Sequence, residues 1–153
     1  MLTVVKTVGD IFETEAEAIC NAVNCLAKPG SGIAYAFAQR FPIVEERWAE
    51  FAKTGITRPG QAYVFQMPKN SNWQYVLNAT TMQLPGSFAD PIIIMECVSQ
   101  IIAECNKFGI SSIAVPYLGC GVGRLAETDF ERIIKCAKSS KPLTILLVKY
   151  KNS

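Results

Sequence analysis

The 153 residues suffice for one domain of ordinary size and leave little room for a second. Half of them are hydrophobic and 18% are charged, which supplies a packed core and excludes a disordered chain. The formal net charge is +2 with Lys and Arg scattered, so there is no basic stripe and no strong nucleic-acid signal, although the balance suits an anionic small ligand.

In chain order, Leu2–Val8 is β-rich and ends in Gly9-Asp10, a turn signal. Ala16–Val23 is a short, nearly continuous apolar segment, the pattern of a strand covered on both faces. Cys25–Gly32 is a loop with Pro29, Gly30, Ser31 and Gly32, and it runs into the alanine-rich helix IAYAFAQRF. Ile43–Lys53 continues as a second helix, with Val44, Trp48 and Phe51 spaced for one face. After the Gly/Pro linker Thr54–Gly60, two strands are expected at Gln61–Met67 and Trp73–Asn78, joined by the hairpin-like PKNSN. Met82–Ala89 reads as a loop. Asp90-Pro91 opens a helix, an N-cap followed by proline, whose buried face carries Ile94, Val98, Ile101 and Cys105 and which stops at Gly109. Ser111–Tyr117 is another apolar strand and empties into LGCGVGRL. Phe130, Ile133, Ile134 and Ala137 define an amphipathic helix, and Leu143–Tyr150 closes the chain as a strand. Alternating strands and helices imply a mostly parallel sheet with helices on both faces.

The longest apolar runs, Pro91–Met95 and Pro142–Val148, fall far short of the ~18 residues of a spanning helix, so no membrane association is expected. The amino terminus MLTVVKTVGD lacks the pattern of a secretory signal, and a cytoplasmic location is expected. Six cysteines occur without CxxC spacing, and histidine is absent. A zinc site is therefore not expected, nor any other metal site. Ser-His and Cys-His mechanisms are excluded. The thiols read as reduced, structural residues. No cofactor is implied, and the chain is expected to act as a monomer.

The most informative feature is a repeated unit of apolar strand, glycine-rich loop and helix. It occurs at AICNAVN-CLAKPGSG-IAYAF and again at SIAVPY-LGCGVGRL-AETDF. Ligands of open α/β sheets settle outside the carboxyl ends of the strands. Glycines there allow close backbone approach, and the following helix offers free N–H groups. Two such loops side by side form a clamp suited to a diphosphate. Neither loop is a nucleotide fingerprint alone: no GxxxxGK[ST] is present, and GCGVGR is not GxGxxG.

With their flanks, these segments resemble the macrodomain family across essentially the whole chain: V-x-GD-I, NAVNC, PGSGIAYAF and VPYLGCGVGRL. The likeness is greatest to the subgroup of DarG-type DNA ADP-ribosylglycohydrolases and ADP-ribose-1''-phosphate phosphatases. It implies one macrodomain over 1–153, a three-layer α/β/α fold with a mixed, mostly parallel central sheet, and binding of ADP-ribose or a derivative. By the resemblance, Asp10 accepts a hydrogen bond from the adenine amino group, with Ile11 alongside. Asn21 and Asn24 lie where the family contacts the distal ribose and are the candidate catalytic residues. Gly30, Ser31, Gly32 and Ile33 hold one side of the diphosphate and the distal ribose. Gly119, Cys120, Gly121, Val122 and Gly123 hold the other side through backbone N–H groups. Asp10 reads alternatively as a turn cap, the two asparagines as partners of local backbone, and Arg124 as a surface residue. With no base available, Cys120 reads as a backbone contributor.

The resemblance divides pocket from chemistry. Glycohydrolase relatives use a lysine where QYVLNATTM puts Met82, and a thioether lacks an amine's charge and nucleophilicity. Phosphatase relatives use a histidine near Asn21, and an amide is no general base. Hydrolysis of an ADP-ribosyl or ADP-ribose-1''-phosphate linkage is expected, with a non-catalytic ADP-ribose-binding module as the alternative. A generic doubly wound protein binding another phosphorylated metabolite ranks below both.

Overall fold

The computed structural model describes residues 1–28, 30 and 32–151. Its six-stranded sheet has the order β1-β6-β5-β2-β4-β3, formed by β1 (Leu2–Gly9), β2 (Ala18–Asn24), β3 (Ala62–Gln66), β4 (Tyr75–Met82), β5 (Ser112–Pro116) and β6 (Leu143–Tyr150). Every pairing is parallel except β3 on β4, so the sheet is mixed, as expected. The helices are α1 (Gly32–Arg40), α2 (Pro42–Ala52), α3 (Pro91–Phe108) and α4 (Glu127–Cys136), with a 3₁₀ turn at Ile11–Glu13.

Two apolar cores lie on opposite faces of the sheet. One joins Ala18, Cys20, Leu77 and Ala79 to the inner faces of α3 and α4. The other joins Ile19, Val76 and Ala114 to Ile11 of the 3₁₀ turn, Phe37 of α1 and Val44 of α2. These are the three layers, and β2 contributes alternate residues to both. Its side chains are buried on both faces except Ala22, which is why its sequence is apolar at every position but Asn21 and Asn24 rather than alternating. Among the described residues, no helix is long and apolar enough to cross a membrane.

The end signals of α3 act as expected. The Asp90 carboxylate accepts from the Ile92 amide at 2.9 Å, and Gly109 closes the helix in the left-handed region at φ 70°. Ile94, Cys97, Val98, Ile101, Ile102 and Cys105 form its buried face. Full burial of each of the larger ones is worth about 1.5–3 kcal/mol.

Most element boundaries lie within one residue of expectation, and β2, β4 and α4 differ in ways that bear on the site or the core. β2 begins two residues later than its apolar run, at Ala18. β4 starts at Tyr75 and does not stop at Asn78 but continues through Ala79, Thr80 and Thr81 to Met82. Its polar residues are buried there: Asn78 and Thr80 at 0% and Thr81 at 4% exposure. The Thr80 hydroxyl donates to Arg58 O at 2.8 Å and accepts from the Gln61 amide at 2.9 Å, so local partners satisfy a polarity that suggests a loop in the sequence. In α4, Ala137 is the C-cap rather than a helical residue.

Candidate functional site

A cavity of about 430 Å³ opens at the carboxyl ends of β2 and β5, between the two glycine-rich loops. Of the residues expected to form a site, Asn21, Asn24, Gly30, Gly32, Ile33, Gly119, Gly121, Val122 and Gly123 all line it. Cys120 lies in the same loop but is not part of the lining, with its Sγ 3.7 Å from Leu118 O. Asp10 and Ile11 also stand outside the lining. Ser31 falls outside the described residues.

The second loop is a backbone construction. Cys120 N donates to Tyr117 O, Arg124 N to Gly121 O and Leu125 N to Gly119 O, and Ala89 N donates to Gly123 O at 2.8 Å. The last bond ties the loop to the segment before α3. Gly119 has φ +78°, and a Cβ on Gly123 would stand 2.7 Å from Gly119 O and 2.9 Å from the Ala89 Cβ. The glycines therefore permit both the turn and its close approach to Ala89.

The first loop is instead organised by a side chain. Asn24, 7% exposed, accepts on Oδ1 from the amides of Leu26 and Lys28 and donates from Nδ2 to Lys28 O, all at 3.1 Å. Its own carbonyl accepts from Trp48 Nε1 at 3.2 Å, which ties α2 to the end of β2. Cys25 N donates to Met82 O. The local-backbone reading of Asn24 thus describes its bonding, and one Nδ2 hydrogen is left for a ligand.

Asn21 is the register partner of Asn78 across β2 and β4, and its Nδ2 donates to Asn78 Oδ1 at 3.2 Å. Asn21 Oδ1 and Asn78 Nδ2 find no partner among the described residues. Burial of such atoms costs about 1–3 kcal/mol each when nothing meets them. The bond to Asn78 fixes the Asn21 amide, whose Oδ1 is buried without a partner in a residue that lines the cavity. An amide in this place can accept or donate a hydrogen bond but removes no proton.

Asp10 is both a cap and an ion-pair partner. Its Oδ1 accepts from the Phe12 amide at 2.9 Å, and its Oδ2 lies 3.4 Å from Arg40 Nη2, whose guanidinium stacks 4.6 Å from the Phe12 ring centroid. An adenine amino group at this carboxylate would share it with Arg40.

Residues that motif reading missed complete the lining: Lys28, Glu45, Trp48, Thr81 and Tyr117 among them. Asn78 supports the site from beneath, and its one signal is a polar residue inside an apolar strand. The Tyr117 hydroxyl donates to Glu131 Oε2 at 2.5 Å. Burial first, then that bond and nearby carboxylates, push its ionisation far above the usual phenol range, so it is no ready acid. Cys120 is pushed up to about 11, by burial first and then by Glu127, Asp129 and Glu131. It is a protonated thiol at neutral pH, consistent with a backbone role for its segment. Met82 lines the cavity, so an apolar thioether occupies the wall where the resemblance expects an amine. Among the described residues, no cluster of three or more His, Cys, Asp or Glu side chains is arranged for a metal ion.

The Macro domain profile matches residues 20–134, three quarters of the sequence and both glycine loops. The chain belongs to the Macro domain family. As a macrodomain it is 28% identical over 134 residues to a DNA ADP-ribosyl glycohydrolase of Mycobacterium tuberculosis, a match covering 88% of this chain and 38% of that protein. The chain thus corresponds to well under half of that relative. The solved macrodomain of M. tuberculosis DarG superposes with a TM-score of 0.88 at 26% identity over 99% of both chains. Thermosipho africanus DarTG, solved in complex with ADP-ribose, superposes with a TM-score of 0.77 at 22% identity, over 94% of this chain and 41% of that one. That likeness establishes the shared fold.

Proposed function

We propose that this macrodomain binds ADP-ribose or a close derivative in the cavity between its two glycine loops and hydrolyses an ADP-ribosyl or ADP-ribose-1''-phosphate linkage there. The observation that carries the reading is the pairing of a backbone-lined loop after β5 with an asparagine-organised loop after β2, around about 430 Å³ at the carboxyl edge of the sheet. The N–H groups around Gly119–Gly123 and the start of α1 suit the diphosphate. Asn21 and Asn24 suit the distal ribose, because amides both donate and accept. Asp10 and Ile11 form the adenine end. The relatives' names support the same ligand class. The whole of 1–153 is read as one macrodomain, since β1 and β6 lie outside the matched segment yet pair in its sheet.

In this reading, catalysis proceeds by orientation. Asn21 Oδ1, held by Asn78, and the remaining Asn24 N–H position the substrate and a water, and the loops stabilise phosphate charge. A second reading, a binding module without turnover, is favoured by Met82 in the cavity wall and by the commitment of Asn24 to its own loop.

Titration calorimetry is expected to give ADP-ribose a Kd tighter than ~100 µM, or about −5.5 kcal/mol. Undetectable binding of both ADP-ribose and its 1''-phosphate would overturn either reading. Phosphate release from ADP-ribose-1''-phosphate and cleavage of ADP-ribosylated DNA separate enzyme from binder. Asp10→Ala should weaken ADP-ribose more than ribose-5-phosphate, and equal losses would remove Asp10 from the adenine end.

A further inference from the structure

Among the described residues, Lys28 is the one cationic residue lining the cavity and Glu45 the one carboxylate. Among the described lining residues, a ligand phosphate beyond the backbone-lined loop therefore has a side-chain cation to meet at Lys28 alone. Lys28 is exposed, and the chain fixes its backbone by unusual means. Ala27, immediately before it, is left-handed at φ 53°, a conformation that strains a non-glycine residue. The strain is held by Asn24: Ala27 N donates to Asn24 O at 3.3 Å, and the Asn24 side chain binds both the amide and the carbonyl of Lys28 at 3.1 Å. Asn24 is buried and fixed in turn by Trp48. A surface lysine in an ordinary loop has no such support. None of the four ion pairs among the described residues involves Lys28.

We propose that Lys28 is a specificity-determining residue, which recognises a phosphate attached beyond the distal ribose and so favours phosphate-bearing ADP-ribose derivatives over ADP-ribose itself. The inference rests on the reading of the cavity given above, because it takes the Asn24 end as the distal-ribose end. The phosphate can be an ester on that ribose or belong to a nucleic-acid strand joined to it. Recognition is electrostatic and involves no covalent step.

The test compares ADP-ribose, ADP-ribose-1''-phosphate and an oligonucleotide bearing ADP-ribose on the wild type, Lys28→Gln and Lys28→Arg. Affinities are measured by calorimetry, or as kcat/KM where a ligand is turned over. The wild type should prefer at least one phosphate-bearing ligand by about 2- to 5-fold, the size expected for one exposed charge pair. A preference for the 1''-phosphate alone assigns the ester, one for the oligonucleotide alone assigns the strand, and either supports the proposal. Lys28→Gln should bring the ratio close to 1, Lys28→Arg should restore it, and raising salt from about 0.05 to about 0.5 M should shrink it in the wild type. A general loosening of the loop would weaken all ligands alike and leave the ratio intact. An unchanged ratio in Lys28→Gln, or no preference in the wild type, overturns the assignment of Lys28 while ADP-ribose binding still supports the cavity. Failure of the wild type to bind any of the three overturns both.

Discussion

The two glycine loops sit on opposite sides of one cavity and are built on different principles. The loop after β5 is shaped by backbone hydrogen bonds and by the absence of side chains where Gly119 and Gly123 approach Ala89. The loop after β2 is shaped by a single buried amide, Asn24, which satisfies three backbone groups at once. A backbone-built loop presents N–H groups in fixed positions and tolerates no added atoms where it is tight, at Gly119 and Gly123. A side-chain-built loop can be retuned by changing one residue and can carry a functional side chain such as Lys28. Under the proposed reading, the rigid loop would cradle the diphosphate and the retunable one would meet what lies beyond the distal ribose.

The sharpest way to break this contrast is to add one methyl group to the rigid side. Gly123→Ala would place a Cβ 2.7 Å from the Gly119 carbonyl and 2.9 Å from the Ala89 Cβ, and backbone must move to relieve it. The expected loss is about 3 kcal/mol, the upper part of the overpacking range, with a loss of ADP-ribose affinity of at least about 10-fold. Gly121→Ala is the control within the same loop, because its Cβ meets nothing within 4 Å and stability should hold. Denaturant unfolding of both variants measures the difference, and similar losses would refute the steric account.

On the other side, Asn24→Ala removes three hydrogen bonds and leaves the amides of Leu26 and Lys28 without their acceptor. At about 1 kcal/mol net per bond, with solvent recovering part, the expected loss is about 2 kcal/mol. Asn24→Asp keeps the acceptor oxygen and should recover about half. Recovery by Asp would trace the defect to the loop amides, whereas equal losses would trace it to the Nδ2 donor. Binding should fall in step with the disorder of the first loop and leave the second loop's hydrogen-exchange protection unchanged.

How much of this was legible in the sequence follows the same division. The second loop and its flanking strand could be read from LGCGVGRL, because glycine spacing encodes backbone geometry directly. The helix ends at Asp90-Pro91 and Gly109 were legible for the same local reason. The far end of β4 was not. Thr80 and Thr81 follow the expected strand as a polar pair, and the partners of Asn78 and Thr80, namely Asn21, Arg58 and Gln61, are remote in sequence. Lys28 was hidden similarly. Nothing marks it in CLAKPGSG until the bonds from Asn24 and the left-handed Ala27 fix its backbone. Asp10 was visible as a turn residue, but its pairing with Arg40, thirty positions away, emerges only when α1 packs beside the 3₁₀ turn.

The smallest expected effect concerns the cysteine each loop carries. Both thiols are raised by burial, Cys25 in direction and Cys120 to about 11, where Glu127, Asp129 and Glu131 add to the shift. An unfolded cysteine ionises near ~8.5, so the folded state holds the Cys120 proton more tightly than the unfolded state does. Its contribution to stability is therefore fully present below about pH 8.5 and is lost as pH rises through about 11. The same sign holds for Cys97 and Cys105, each pushed up to about 12 chiefly by burial. Melting temperature should accordingly be flat near neutrality and decline steadily above about pH 9. Alkylation by iodoacetamide gives the finer test, because the thiolate is the reacting form. At about pH 8, Cys136, the exposed thiol, should be modified first, and Cys120 should lag by about 10-fold or more. Cys120 should approach the rate of Cys136 only as the pH nears 11. Equal rates at pH 8 would mean that neither burial nor the carboxylates of α4 hold the Cys120 proton, and the cysteine would then have to be reconsidered as a nucleophile.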